Sequence, residues 1–171
     1  MKSALIVIDV QNLLVDAKPY RIEECLENIQ ELLSEARRSD MEVIFVRHSD
    51  QEFIYGSPEW ELSDVLAVRN NEKIVDKHFN SMFKDTDLNE YLKQSEINHL
   101  ILCGMVTNYC VDTSCRVAFE LGYQVTIAEG STTLFATEDF AADTLQDYYE
   151  DLWHERFAQV LPMEDVLKIM R

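Results

Sequence analysis

Leu100-Ile101-Leu102-Cys103-Gly104-Met105-Val106-Thr107-Asn108-Tyr109-Cys110-Val111-Asp112 is the stretch on which the reading of this chain turns. Leu100 to Cys103 is a short apolar run of the kind a buried strand needs, and Gly104 is expected to end it. Asn108 is a candidate helix cap, because its side-chain oxygen can accept a bond from a free amide two or three residues on. Behind it, Val111, Cys115 and Ala118 recur at spacings of four and three, one face of a helix. Cys110 is therefore expected in the first turn of that helix, at the carboxyl end of a strand. A helix N-terminus carries partial positive charge, which favours a thiolate over a thiol. A cysteine so placed can attack a substrate, although free cysteine is more often a small buried hydrophobe.

The same grammar extends in both directions. Ala4-Leu-Ile-Val-Ile8 is apolar at every position, as a parallel strand covered on both faces must be, and it ends at Asp9. A helix follows from about Ile22, with Ile22, Leu26, Ile29, Leu33 and Ala36 on one stripe. Glu42 to Val46 reads as a second buried strand running into Arg47-His48-Ser49-Asp50, and residues 49–72 as a long loop with a turn of helix near Trp60. Ile74-Val75 is a short strand leading to Lys77, and Asp87 is expected to cap a helix reaching Ser95. After the central stretch come a strand at Gln124 to Ala128, and a helix from Thr137 with Ala141, Leu145, Tyr148 and Leu152 on its buried face. Phe157 to Leu161 and Glu164 to Met170 read as a closing strand and helix. Strands alternating with helices predict an α/β fold: one three-layer αβα domain over residues 1–171, with a mostly parallel, Rossmann-like central sheet.

A net charge of −17, from 32 acidic and 15 basic residues, argues against nucleic acid and anionic membranes as partners. No apolar run approaches the length of a membrane span, and no basic segment precedes an apolar leader, so a cytoplasmic location is expected. The four cysteines, at 25, 103, 110 and 115, have neither zinc-ribbon nor thioredoxin spacing. Cys25, Cys103 and Cys115 fall inside predicted elements and are read as packing.

In parallel sheets ligands bind beyond the carboxyl ends of the strands. Asp9, Lys77 and Cys110 all stand at such ends. A carboxylate, an ammonium and a thiol gathered there fit covalent acyl transfer, with a base to take the thiol proton and a cation to support it.

That trio, in that order, resembles the isochorismatase-like cysteine hydrolases, which include nicotinamidases and carbamoyl-amide hydrolases. The resemblance covers nearly the whole chain. It is carried by Val7-Ile-Asp-Val-Gln-Asn12, by Lys77 with Phe79 and Phe83 after it, by Gly104-Met-Val-Thr-Asn-Tyr-Cys-Val111, and by Gly122-Tyr123 before a strand. It implies Cys110 as nucleophile, Asp9 as base and Lys77 as the third member of the triad. It also implies a cis peptide joining Met105 to Val106, with the amides of Val106 and Cys110 forming an oxyanion hole.

Members with a metal site place an aspartate, a nearby histidine and a second histidine before the lysine. Here Asp50 is followed by Glu52, and no histidine lies between His48 and Lys77. Neither a metal nor another cofactor is therefore expected. Leu13 and Leu14 replace an acidic residue and a phenylalanine, and Glu129-Gly130 replaces a common aspartate-alanine pair.

Gln11, His48, Trp60, Phe79 and Tyr109 are candidates to line the substrate pocket, with His48 equally readable as the end of a strand. Aromatic walls would suit a planar amide or ring. The expected reaction is hydrolysis of a C–N bond in a small amide or ureido compound through a thioester. The alternatives are vinyl-ether hydrolysis of the isochorismatase type, in which an aspartate protonates the substrate and no thiol is needed, and a catalytically silent binding module. Tyr148, Tyr149, Trp153 and Phe157 concentrate aromatic surface near the C-terminus, so a homo-oligomer, a dimer or larger, is expected.

Overall fold

The computed structural model describes residues 1–171. Its centre is a six-stranded sheet in the order β3-β2-β1-β4-β5-β6, with every neighbouring pair parallel. The strands are β1 (Ser3–Ile8), β2 (Glu42–His48), β3 (Lys73–Lys77), β4 (His99–Met105), β5 (Gln124–Thr133) and β6 (Gln159–Leu161). This is the doubly wound Rossmann order, in which the chain reverses its direction of travel across the sheet between β1 and β4.

Alternation within each strand sorts the apolar side chains into two cores. Ile6, Ile8, Ile44, Val46, Leu100 and Leu102 pack with α3 (Leu88–Gln94), α4 (Asp112–Glu120) and α5 (Ala142–Trp153) through Leu88, Cys115 and Trp153. Leu5, Val7, Val43, Phe45, Ile101 and Cys103 pack on the other face with α2 (Ile22–Arg38) and α6 (Met163–Ile169). A short helix, α1 (Asn12–Asp16), follows β1. Cys25, Cys103 and Cys115 are buried packing residues, as their positions suggested.

Four readings need correction. Gly104 does not end its strand: β4 runs through it to Met105. Gly104 faces Ile8 across the β1–β4 pair at φ +119°, and a side chain there would collide with the Ile8 backbone. The residue is a close approach between strands, which only glycine permits. Asp87 stands at the N-cap of α3 but makes no capping bond, because its carboxylate pairs with Lys73 Nζ at 3.0 Å. In the long loop, the turn of helix is a 3₁₀ turn at Asp64–Leu66, after Trp60.

The fourth concerns α5, which starts at Ala142 and buries Gln146 and Trp153. Gln146 is drawn inward by polar partners: Thr107 Oγ1 donates to its Oε1 at 2.8 Å, and its Nε2 donates to Thr132 Oγ1 at 2.9 Å. With Trp153 in the core and Tyr149 and Phe157 packed against it, only Tyr148 of the four C-terminal aromatics stays exposed. No helix is long and apolar enough to cross a membrane.

Candidate active site

Four adjacent strands end side by side, and each delivers one polar group. Lys77 is the last residue of β3 and His48 the last of β2, and the two are register partners. They share parity with Val75 and Val46, so they point to the α3/α4 side of the sheet. Asp9 ends β1 in a left-handed conformation, φ +50°, which aspartate tolerates better than most side chains. Its amide donates to Val46 O at 2.9 Å, tying it to β2.

Cys110 follows β4 in the opening turn of a helical run, as expected, but that turn is a π turn. Thr107–Val111 forms a π turn, entered from Val106 in extended conformation, and α4 begins only at Asp112. Asn108 lies inside that turn and makes no cap. The turn is pinned by Val111 N–H to Val106 O at 3.3 Å and by the Thr107 hydroxyl bonds to Thr132 and Gln146. The peptide bond between Met105 and Val106 is cis.

The Lys77 ammonium is the hub of this cluster. Its Nζ lies 2.9 Å from Asp9 Oδ2, 2.9 Å from His48 Nδ1, 3.1 Å from Phe79 O and 3.2 Å from Cys110 Sγ. The Lys77 side chain is 0% exposed and that of Asp9 only 2%, so the pair is held out of water and each ion needs the other. Asp9 Oδ1 is buried with no hydrogen-bond partner. An Asp9 carboxylate oxygen and Cys110 Sγ lie within 4.8 Å of one another. Asn80 brings its carboxamide oxygen to 3.9 Å from the same sulfur.

Burial pushes the Cys110 thiol up to about 12, and the Asp9 charge adds to the effect against the opposing pull of Lys77. The expectation of a thiolate stabilised by a helix N-terminus is thus reversed, because burial and a neighbouring carboxylate outweigh the Lys77 charge. The resting sulfur is a thiol, and the adjacent carboxylate is its natural proton acceptor.

The candidate pocket residues divide into two groups. Gln11 is fully buried and its amide is spent on backbone: Nε2 donates to His48 O at 2.9 Å and Trp60 O at 2.7 Å, and Oε1 accepts from His48 N–H at 2.8 Å. Trp60 is 3% exposed, donates its indole N–H to Ser49 Oγ at 2.7 Å and lies under the Arg47 guanidinium, 3.6 Å from its ring centre. Both brace the long loop from behind. Phe79 and Tyr109, 39% and 58% exposed, stand at the open side next to Lys77 and Cys110.

Asp9, His48 and Cys110 present three donor atoms within 4.8 Å of one another, a spacing that could suggest a metal. All three are hydrogen-bonded to the Lys77 ammonium instead, which already supplies the cation. Asp50 has no capacity left either. Its Oδ1 accepts the amides of Glu52 and Phe53, and its Oδ2 meets His48 Nε2 at 3.0 Å. The residues present do not fit a metal centre.

Sequence reading missed Thr107, Asn80 and Gln146. None belongs to an apolar period, and their partners are remote in the chain.

Comparison with known proteins places the chain in a family of known fold. The profile of the isochorismatase domain matches residues 3–164. The isochorismatase family protein YrdC of Bacillus subtilis (strain 168) is 29% identical over 177 residues, covering 97% of this chain and 95% of its own length. Nicotinamidase 3 of Arabidopsis thaliana is 30% identical, over 80% of this chain and 75% of its own. The crystal structure of an isochorismatase from Pseudomonas putida KT2440 superposes with a TM-score of 0.88 at 28% identity, covering 95% of this chain and 89% of that one. A domain match from β1 to the start of α6 identifies this hydrolase fold: the chain belongs to the isochorismatase family.

Proposed function

We propose that this protein is a cysteine hydrolase that cleaves a C–N bond of a small amide or ureido compound through a thioester on Cys110, with Asp9 as proton carrier and Lys77 as the charge that holds the two together. The observation that carries the reading is the Lys77 ammonium, in contact with both Asp9 Oδ2 and Cys110 Sγ, while Asp9 Oδ1 has no partner. A relative named for its action on nicotinamide, a primary amide, supports the substrate class.

The steps follow from the charges. Asp9 takes the Cys110 S–H proton as the sulfur adds to the substrate carbonyl, so no free thiolate accumulates. Lys77 remains cationic and offsets the negative charge as it passes from carboxylate to sulfur and on to the carbonyl oxygen. Val106 N–H has no acceptor in the chain, which makes it an available donor to that oxygen. Protonated Asp9 then gives its proton to the departing nitrogen, releasing ammonia or an amine and leaving the thioester. Water, deprotonated by Asp9, attacks the acyl carbon, and the sulfur leaves and regains a proton from Asp9. One C–N bond and one water are consumed, and the enzyme returns unchanged.

The test is a panel of primary amides and ureido compounds assayed for ammonia release, with parent and Cys110→Ala side by side. Turnover in the parent, an acylated Cys110 by intact mass on acid quench, and loss of both in the variant are expected. Turnover that survives Cys110→Ala would instead favour chemistry that needs no thiol, such as vinyl-ether hydrolysis.

A further inference from the structure

Lysine Nζ has three protons and no acceptor, yet four acceptors surround Lys77: Asp9 Oδ2, His48 Nδ1, Phe79 O and Cys110 Sγ. The direction of each bond is therefore fixed. His48 must accept at Nδ1, which leaves its proton on Nε2, directed at Asp50 Oδ2. Asp50 is oriented in turn by the amides of Glu52 and Phe53. Burial opposes ionisation of Asp50, but these amides and His48 outweigh it and hold the carboxyl below its ordinary range.

His48 is immobilised at every other point as well. Gln11 bonds both its N–H and its C=O, and the Phe53 ring meets the imidazole edge-on at 5.5 Å. So much restraint on a side chain only 11% exposed gives the imidazole one orientation and one tautomer.

We propose that His48, fixed by Asp50, is a positioning residue: its neutral Nδ1 aims the Lys77 ammonium between Asp9 and Cys110, and the site works only while this imidazole is uncharged. The proposal rests on the hydrolase reading above. Protonation at Nδ1 would remove the acceptor and set two cations against each other. The charged or titratable groups around the ring are Asp9 at the end of β1, Asp50 beyond β2, Lys77 at the end of β3 and Cys110 in the π turn. Lys77 opposes a second positive charge, and the two carboxylates favour it. Activity should fall whenever Nδ1 ceases to be an acceptor.

Two measurements on the full chain separate this inference from the hydrolase reading. The first needs no turnover. In ¹⁵N-labelled protein, with His48 assigned by its loss in His48→Gln, the ring should show a proton on Nε2 and a bare Nδ1 at neutral pH. Lys77→Met should leave the Nε2 proton in place, since Asp50 still accepts it, but shift the Nδ1 resonance as its donor is lost. A proton on Nδ1 in the parent, or no response to Lys77→Met, overturns the proposal.

The second uses whichever primary amide the parent hydrolyses. His48→Phe should lower kcat at least about 100-fold with KM nearly unchanged. His48→Gln, which keeps an acceptor, should stay within about tenfold of the parent. If His48→Phe keeps half the parent rate, or His48→Gln falls by more than about tenfold, His48 does not position Lys77. If no amide is turned over by the parent, the hydrolase reading fails while the tautomer result still stands for the geometry.

Discussion

The two ends of the sheet hold a buried histidine each, and they treat it in opposite ways. At the amino end, His99 opens β4 between two hydroxyls, Ser3 Oγ at 2.8 Å and Thr126 Oγ1 at 2.8 Å. Every ring nitrogen has a neutral partner, and burial pushes the imidazole down. At the carboxyl end, His48 lies between an ammonium and a carboxylate, in a cluster with more acceptors than protons and one buried carboxylate oxygen left unpaired. The amino end also borders a hollow of about 450 Å³ around His99, Tyr123 and Phe157. Space does not locate the chemistry here; unresolved hydrogen bonding does.

That contrast can be broken most directly at Asp9. Asp9→Asn should lower amide turnover at least about a thousandfold, since one group serves as base and acid. The same change removes the charge that helps hold Cys110 up to about 12, so alkylation of Cys110 by iodoacetamide at pH 8 should become faster. A variant that reacts more readily with an alkylating agent yet turns over nothing would separate thiol acidity from catalysis. An unchanged alkylation rate would mean that Asp9 does not bear on the sulfur.

A second test strikes the one place where stability and site geometry meet. Gly104→Ala puts a methyl group into the Ile8 backbone, at a φ of +119°. Denaturant unfolding should show a loss of at least about 3 kcal/mol, or no cooperative transition at all. A nearly unchanged midpoint would mean that β1 and β4 can separate without cost.

At the amino end the effect should be confined to stability. His99→Leu strands two hydroxyls and should cost roughly 1–3 kcal/mol, with kcat unchanged. The pH dependence has a definite sign. His99 is lowered from 6.5 by burial, so the unfolded chain takes up a proton first as pH falls. The stabilising contribution is complete above 6.5 and is lost below it as pH falls through the lowered value; His99→Leu should flatten that acid slope. An effect on kcat would break the division between the ends.

An effect confined to strongly alkaline pH belongs to the packing thiols. Burial raises Cys115 to about 12 from 9.0, so its contribution is complete below 9 and is lost as pH climbs toward 12. Cys115→Ala should reduce the alkaline slope of unfolding free energy by about 1.4 kcal/mol per pH unit in that window. An identical slope in parent and variant would refute the assignment.

Much of this was legible beforehand, for reasons that also mark where legibility ends. The all-apolar runs at 4–8 and 100–103 are too short for buried helices and fit strands covered on both faces, so the sheet and the ends that carry Asp9 and Cys110 could be read directly. Gly104 was misread because a glycine that breaks a strand and one that lets a neighbour approach are the same letter. Gln146 was missed because an apolar stripe cannot foresee a glutamine drawn inward by Thr107 and Thr132. The acidity of Cys110 was read from a helix start, which says nothing of how deeply the sulfur is buried or that Asp9 lies beside it. The pairing of His48 with Lys77 depends on the register between β2 and β3, which no local pattern encodes.

The strand order bears on when the reactive cluster can exist during folding. Asp9, His48 and Lys77 belong to β1, β2 and β3, but Cys110 follows β4, which must insert beside β1 on the side away from β2. Parallel neighbours cannot form as local hairpins, and each such contact waits for a crossover to close. Until β4 docks, the thiol has neither its ammonium nor its carboxylate and behaves as an ordinary cysteine on an unfinished chain. The β1–β4 pairing is therefore what brings carboxylate, ammonium and thiol together, and a molecule that lacks it carries a more acidic thiol with no base beside it.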